Sequence, residues 1–204
     1  MKITDTRTLL KALGYTFVYE VRKKIEPNRV NIKFEDLFKE FRENNLWISK
    51  KELFEHQYKA FIELINGKNI ILRSGTGSGK TEAWILYFLK KAREGVFRAL
   101  AVYPTLALAN DQIRRITVYC KALKIGVLQL DAPTRDKLRK KIGLRGIRER
   151  VGMSSLIITN PAYLLMELKR FFLRQHDSLL EPFLSNLDLI VIDELDFYGP
   201  RSLA

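Results

Sequence analysis

The sequence predicts an α/β fold, a doubly wound and mainly parallel sheet carrying a small helical N-terminal extension. Three observations predict it. Short apolar runs alternate with helical patterns through most of the chain, as strand–helix–strand units do. One run, Asn69-Ile70-Ile71-Leu72, leads into the glycine-rich stretch Ser74-Gly75-Thr76-Gly77-Ser78-Gly79-Lys80-Thr81 and then into a helical pattern. Another, Leu187-Asp188-Leu189-Ile190-Val191-Ile192, runs straight into Asp193-Glu194. Open sheets of this kind bind ligands at the carboxyl ends of their strands, where both motifs stand.

Residues 1–48 read as the extension and residues 49–204 as the main domain. Helical patterns are expected around Thr8–Lys23 and Phe34–Asn44, the second with Phe34, Leu37, Phe38 and Phe41 on one face, and Pro27-Asn28 separates them. Ser49 and Glu52 have the spacing of a capping box, so a helix is expected from Ser49, with Leu53, Ala60, Phe61, Leu64 and Ile65 at helical spacing and Gly67 as its stop. The apolar run 69–72 is expected as the strand before the glycine loop. Further strands are expected at Arg98–Tyr103, Gly126–Leu130, Ser155–Thr159 and Leu187–Ile192, with helices after Thr81, from Leu106 to about Leu123, and from Pro161 to about Phe172.

Length and composition bound the possibilities. A chain of 204 residues can bury roughly 70% of its unfolded surface and needs no disulfide or metal staple. Cys120 is the single cysteine, which excludes an intramolecular disulfide and fits a reducing, cytoplasmic setting, nucleoid-associated in a prokaryote. Met1–Arg7 lacks the apolar core of a signal peptide, and no apolar run has the length of a membrane span, so no membrane partner is expected. The formal charge of +13 fits a polyanionic partner, nucleic acid first and an anionic membrane surface second; a surface that is basic only for solubility is the alternative, and charge alone does not choose between them.

The glycine stretch has the layout of a phosphate-binding loop. Gly75, Gly77 and Gly79 let the backbone curl and approach a ligand without Cβ clashes. Loop N–H groups, those of Thr76 and Ser78 included, then converge with the free N–H groups of the helix start on an anion. Lys80 adds a point charge for the outer phosphates, and the Thr81 hydroxyl is suited to Mg²⁺. The alternative is a flexible Gly/Ser loop, which does not account for both flanks. Asp193 and Glu194 at the end of an apolar strand are costly unless they hold a cation or a reacting water. Ahead of the loop, Gln57 carries an amide able to read adenine and Phe54 a ring able to stack on it. A core Phe54 and a solvated Gln57 are the alternative.

These pieces, in this order, resemble the first RecA-like domain of superfamily 2 helicases, over about Leu53 to Phe197. Leu53–Gln57 resembles the glutamine motif, Ser74–Thr81 motif I, and Asp193–Asp196 motif II. Tyr103-Pro104-Thr105-Leu106-Ala107-Leu108-Ala109-Asn110-Asp111-Gln112 looks like motif Ia, and Thr159-Asn160-Pro161 like motif Ib. Both are closer to the Lhr-type and mitomycin-repair DNA helicases than to the RNA-remodelling DEAD-box proteins. Ser74 stands where the strict loop pattern has Gly, and Asp196 where those relatives carry His.

The resemblance implies a RecA-like P-loop NTPase domain that uses ATP and Mg²⁺ and works on nucleic acid, DNA rather than RNA. It implies Lys80, Asp193 and Glu194 as the catalytic residues, with Thr81 and Asp193 as magnesium ligands. It implies phosphate contacts from Thr105 and Thr159, and a role for Asp196 in coupling nucleotide state to strand grip. A second RecA-like domain of the same longer chain is expected to supply arginines, so the 204-residue chain alone should hydrolyse ATP slowly or not at all. An RNA helicase of Ski2-like or DEAD-box kind and a non-catalytic nucleotide-gated module are the alternatives. The basic run Arg135–Arg150 reads either as a solvated face or as a flank of the strand groove.

Overall fold

The structure is a computed structural model that describes residues 6–16, 18, 27–75, 77–173 and 178–198. In chain order the elements are α1 (Thr6–Ala12), β1 (Arg29–Lys33), α2 (Phe34–Leu37), α3 (Lys39–Glu43), β2 (Glu52–Phe54), α4 (Glu55–Ile65), α5 (Lys80–Glu94), β3 (Ala99–Val102), α6 (Leu106–Ala122), β4 (Val127–Gln129), α7 (Ala132–Met153), β5 (Leu156–Thr159), α8 (Pro161–Leu173), α9 (Glu181–Leu184) and β6 (Leu189–Ile192), followed by a 3₁₀ turn at Leu195–Phe197.

Strands β4, β5, β3 and β6 form one parallel sheet in that order. Every residue of β3 and β5 is buried, because helices cover both faces of the sheet. The pleat divides the side chains. Ala99, Ala101, Leu156 and Ile158 enter one core with Ile85, Phe88 and Leu89 of α5 and Ile116 and Tyr119 of α6. Leu100, Val102 and Ile157 enter the other with Ile147 and Val151 of α7, Tyr163 of α8 and Phe183 of α9. This is the doubly wound α/β fold expected.

Helix boundaries follow local chemistry. The Thr105 hydroxyl accepts from the Leu108 N–H at 3.2 Å and caps α6. Asp131 caps α7, accepting from the Thr134 N–H at 2.8 Å. Asn160 Oδ1 accepts from the Tyr163 N–H at 2.9 Å at the start of α8, whose first residue is Pro161. Helix α7 is kinked where Gly143 adopts φ 66°.

Three expectations are corrected. No helix starts at Ser49: residues 52–54 are β2, which pairs antiparallel with β1 in the register Arg29↔Phe54 and Lys33↔Glu52, and α4 begins at Glu55. The ladder with β1 claims the backbone that a first helical turn would have needed, and Gln57 rather than Glu52 reaches back to cap, accepting from the Phe54 N–H at 2.9 Å. The helix expected over Phe34–Asn44 is broken at Phe38, whose φ −136° and ψ 94° separate α2 from α3, although Phe34, Phe38 and Phe41 are buried as its pattern requires. The run 69–72 is not a strand. It makes no ladder with β6, Ile71 is 91% exposed, and Ile70 alone of its isoleucines packs on the core. An apolar run of four satisfies the strand pattern without specifying a pairing partner. Of the helix expected over 8–23, α1 covers the beginning, while residues 17 and 19–23 lie outside the described residues.

The extension packs into the main core: Phe34, Phe38, Phe41 and Ile48 join the cluster of α4, α5 and α6, with the rings of Phe41 and Tyr119 stacked at 5.5 Å.

Candidate active site

Between the extended run and α5 the chain turns through glycines. Gly77 and Gly79 have φ of +75° and +79°, the left-handed region where a side chain is strained. Gly79 also needs its missing side chain for space, since a Cβ there would stand 2.3 Å from Gln57 Nε2. The loop is closed by the Ser78 N–H donating to the Gly75 carbonyl at 3.3 Å and by Ser74 Oγ and Ser78 Oγ at 2.7 Å. Ser74, where the strict pattern has Gly, therefore uses its hydroxyl to shape the loop. Thr76 lies outside the described residues.

Helix α5 starts on this loop, and its first residues line the cavity, which puts free N–H groups and the positive end of a helix dipole at its wall. Lys80 Nζ donates to the Ser74 carbonyl at 3.3 Å and stands 3.8 Å from Glu194 Oε1. Thr81 Oγ1 donates to Gln112 Oε1 of α6 at 3.0 Å. Phe54, Gln57, Gly77, Ser78, Gly79, Lys80, Thr81, Asp193 and Glu194 all line one cavity of about 440 Å³.

The acidic pair sits at the carboxyl end of β6. The Asp193 N–H donates to the Val102 carbonyl at 3.0 Å, which anchors it to β3. Burial first, then the negative charge of Glu194, raises the Asp193 carboxyl above the usual aspartate value, with Lys80 opposing. Glu194 takes a left-handed backbone, φ 51° and ψ 54°, a conformation that costs a non-glycine residue about 1 kcal/mol or more. Two buried phenols in the field of Asp193, Tyr103 and Tyr198, have hydroxyls without a partner among the described residues. Burial, followed by that aspartate, raises both.

Gln57 does not sit on the solvated face that was the alternative reading. It is buried, and each end of its amide makes one bond within the protein: Oε1 accepts from the Phe54 N–H and Nε2 donates to the Gly79 carbonyl, each at 2.9 Å. Its carbonyl and amino group brace the loop, and one N–H and one lone pair remain beyond these two bonds on a side chain that lines the cavity. Phe54 is half-buried, stacked with His56 at 5.7 Å, and its ring centre lies 4.7 Å from the Arg29 guanidinium.

The second phosphate-contact residue is also corrected. Thr159 is fully buried, and its hydroxyl donates to the Leu130 carbonyl at 2.7 Å. It ties β5 to the end of β4 and does not present its side chain to a strand. Thr105 is half-exposed at the start of α6. Asp196 lies on the 3₁₀ turn after Glu194; its side chain is outside what the structure describes.

Sequence reasoning missed two groups. Glu82, directly after Thr81, is buried and ion-paired with Arg115 of α6, and it accepts from the Tyr119 hydroxyl at 3.1 Å. The signal was present: an acid following Lys-Thr, and Arg115 and Tyr119 one helical turn apart. Arg29 and Trp47 of the extension also line the cavity, with Lys51 Nζ 4.2 Å from the Trp47 ring. No sequence signal pointed to them: Arg29 comes there through the β1–β2 pairing and Trp47 from the turn that precedes β2.

A model of the DEAD/DEAH box helicase family matches residues 54–202. The chain is 33% identical over 150 residues to the uncharacterized ATP-dependent helicase YprA of Bacillus subtilis (strain 168), which covers 72% of this chain and 18% of that protein. It is 31% identical over 153 residues to the uncharacterized ATP-dependent helicase MJ1574 of Methanocaldococcus jannaschii, covering 72% of this chain and 21% of that one. The crystal structure of the DUF1998 helicase MrfA bound to DNA and AMPPNP superposes with a TM-score of 0.64 at 27% identity, over 85% of this chain and 23% of that one. The chain thus spans about a fifth of the length of the relatives it matches. Among the described residues no helix is long and apolar enough to cross a membrane.

Proposed function

Since the chain belongs to the DEAD/DEAH box helicase family, we propose that it is an ATP-binding motor domain of an ATP-dependent DNA helicase or translocase, working with a second RecA-like domain. The observation that carries this reading is the meeting of Lys80, Thr81, Asp193 and Glu194, over a hundred residues apart in sequence, on one cavity.

The residues present fit a magnesium-bound nucleoside triphosphate. The loop N–H groups, the start of α5 and Lys80 would hold the phosphates, while Thr81 Oγ1 and the Asp193 carboxylate would hold the metal. Magnesium would supply positive charge against the phosphate oxygens. The Thr81 hydroxyl now points its proton at Gln112, which leaves its lone pairs free for a cation. The desolvated Asp193 gains most from that cation, because burial opposes its ionisation until a positive charge arrives. Lys80 and Glu194 hold each other at 3.8 Å. A phosphate drawing Lys80 away would release the Glu194 carboxylate to take a proton from water as general base.

The solved MrfA complex with DNA supports DNA as the polymer, and Thr105 supports a phosphate contact at the end of β3 beside the nucleotide cavity. Titration of a fluorescent ATP analogue tests the site: Lys80→Ala should abolish binding. Glu194→Gln should bind as tightly as the wild type yet lose roughly 10²- to 10⁴-fold in hydrolysis. Unchanged hydrolysis in Glu194→Gln would sink the assignment. Comparing single-stranded DNA with RNA as stimulators of turnover tests the polymer.

A further inference from the structure

A second cavity, larger than the nucleotide site, lies away from it. It is a groove of about 840 Å³ between α7 and α8. Cations stand on both banks: Arg135 and Arg139 one turn apart on α7, and Lys169 and Arg170 on α8. Leu144 and Leu165, 44% and 54% exposed, contribute its apolar floor. Among the described residues no acidic and no aromatic side chain lines it.

Two of these cations are already compensated, since Arg135 pairs with Asp136 at 2.7 Å and Arg170 with the buried Glu167 at 2.9 Å. Arg139 and Lys169 are exposed and have no acidic partner among the described residues. Uncompensated charge on both banks of a groove whose described lining holds no carboxylate is complementary to a polyanion.

Position selects the polyanion. Strand order β4-β5-β3-β6 sets the loops in a row along the carboxyl edge of the sheet: Asp193 after β6, Thr105 after β3, Asn160 after β5 and Asp131 after β4. Helices α7 and α8 leave from the last two, so the groove opens on the same edge that carries Thr105. We propose that the α7–α8 groove is a track for single-stranded nucleic acid, extending the strand path from Thr105 beyond β5 and β4. The inference rests on the nucleic-acid reading above. Without an aromatic platform the bases have nothing to stack on. Binding in the groove is therefore carried by phosphate contacts, neutral to sequence and steeply dependent on salt.

Fluorescence anisotropy on the 204-residue chain tests this with labelled mixed-sequence single strands of about 8 and about 20 nucleotides, lengths that bracket a short and an extended footprint. Arg139→Glu with Lys169→Glu should weaken the longer strand about tenfold or more and leave the shorter one nearly unchanged. The log–log salt slope for the longer strand should flatten by about 1.4, roughly 0.7 for each lost contact. The milder pair Arg139→Gln with Lys169→Gln should flatten it equally, which separates lost contacts from a disturbed fold. If the wild type binds both strands and the variants match it in affinity and slope, the groove is not the track while the Thr105 path stands. If the wild type binds neither strand, the nucleic-acid reading falls with it. Displacement of the long strand by an acidic amphipathic peptide that binds more tightly would reassign the groove to a protein partner and overturn the proposal.

Discussion

The amide of Gln57 braces the glycine loop: its Nε2 donates to the Gly79 carbonyl at 2.9 Å, across 22 residues of sequence, while its Oε1 caps the Phe54 N–H. One buried side chain thus couples the start of α4 to the residue from which α5 springs. Gln57→Ala would leave a carbonyl and an N–H without partners and should cost about 1–3 kcal/mol in urea unfolding. Gln57→Glu keeps the acceptor, loses the donor and adds a negative charge beside the phosphate site. It should lose more in nucleotide affinity than in stability, and calorimetric titration alongside the unfolding curve would show the split.

Arg115 makes a second brace. It neutralises a glutamate that is nearly inaccessible, Glu82, at the first turn of α5. Arg115→Leu strands that carboxylate with only the Tyr119 hydroxyl and should destabilise the chain by about 2–3 kcal/mol, less than a fully buried pair because Arg115 is partly exposed. Adding Glu82→Gln should recover part of the loss, and a double-mutant cycle measures how much.

Magnesium-dependent nucleotide binding should rise with pH through the acid range. The folded state holds the Asp193 proton more tightly than the unfolded chain does, because of burial and then Glu194. The stability this proton brings is fully present below the unfolded aspartate value and is lost as pH rises through the raised folded value. A metal needs the ionised carboxylate, so affinity climbs over the same window and the bound cation offsets the lost stability. Magnesium titrations at successive pH values should show the step, and Asp193→Asn should remove it.

Cys120 should resist alkylation in the native state. It is fully buried, and burial pushes its thiol up to about 12, so almost no thiolate exists at neutral pH. Modification by a thiol reagent should therefore follow the denaturant unfolding curve. Rapid labelling without denaturant would show that α6 opens locally.

Much of this molecule was legible before any coordinates. The helix starts after Thr105 and at Pro161, the all-apolar runs of β3 and β5, and the glycine loop before α5 are each written within one turn of chain, whereas α7 and its Asp131 cap went unread behind the basic run. Their physics is local: a side-chain oxygen reaches an N–H three residues on, and a left-handed φ calls for glycine. Less local features were not legible. The Ser49–Glu52 spacing satisfied a capping rule, yet β1 took that backbone from residues 29–33. Thr159 matched a strand-contact motif, yet its hydroxyl turned inward to Leu130, 29 residues away.

By itself, the sequence determined which segments are helices and strands over most of the sheet, and that a phosphate-binding loop and an acidic pair stand at strand ends. Only the tertiary structure decided what the polar groups between them do: that Gln57 holds Gly79, that Glu82 holds Arg115, that Thr81 points at Gln112, and that residues 69–72 stay outside the sheet. The reason is physical. A cap or a periodic apolar face is specified by neighbours along the chain, whereas a buried polar group must find a partner wherever packing places one, and packing depends on every element at once.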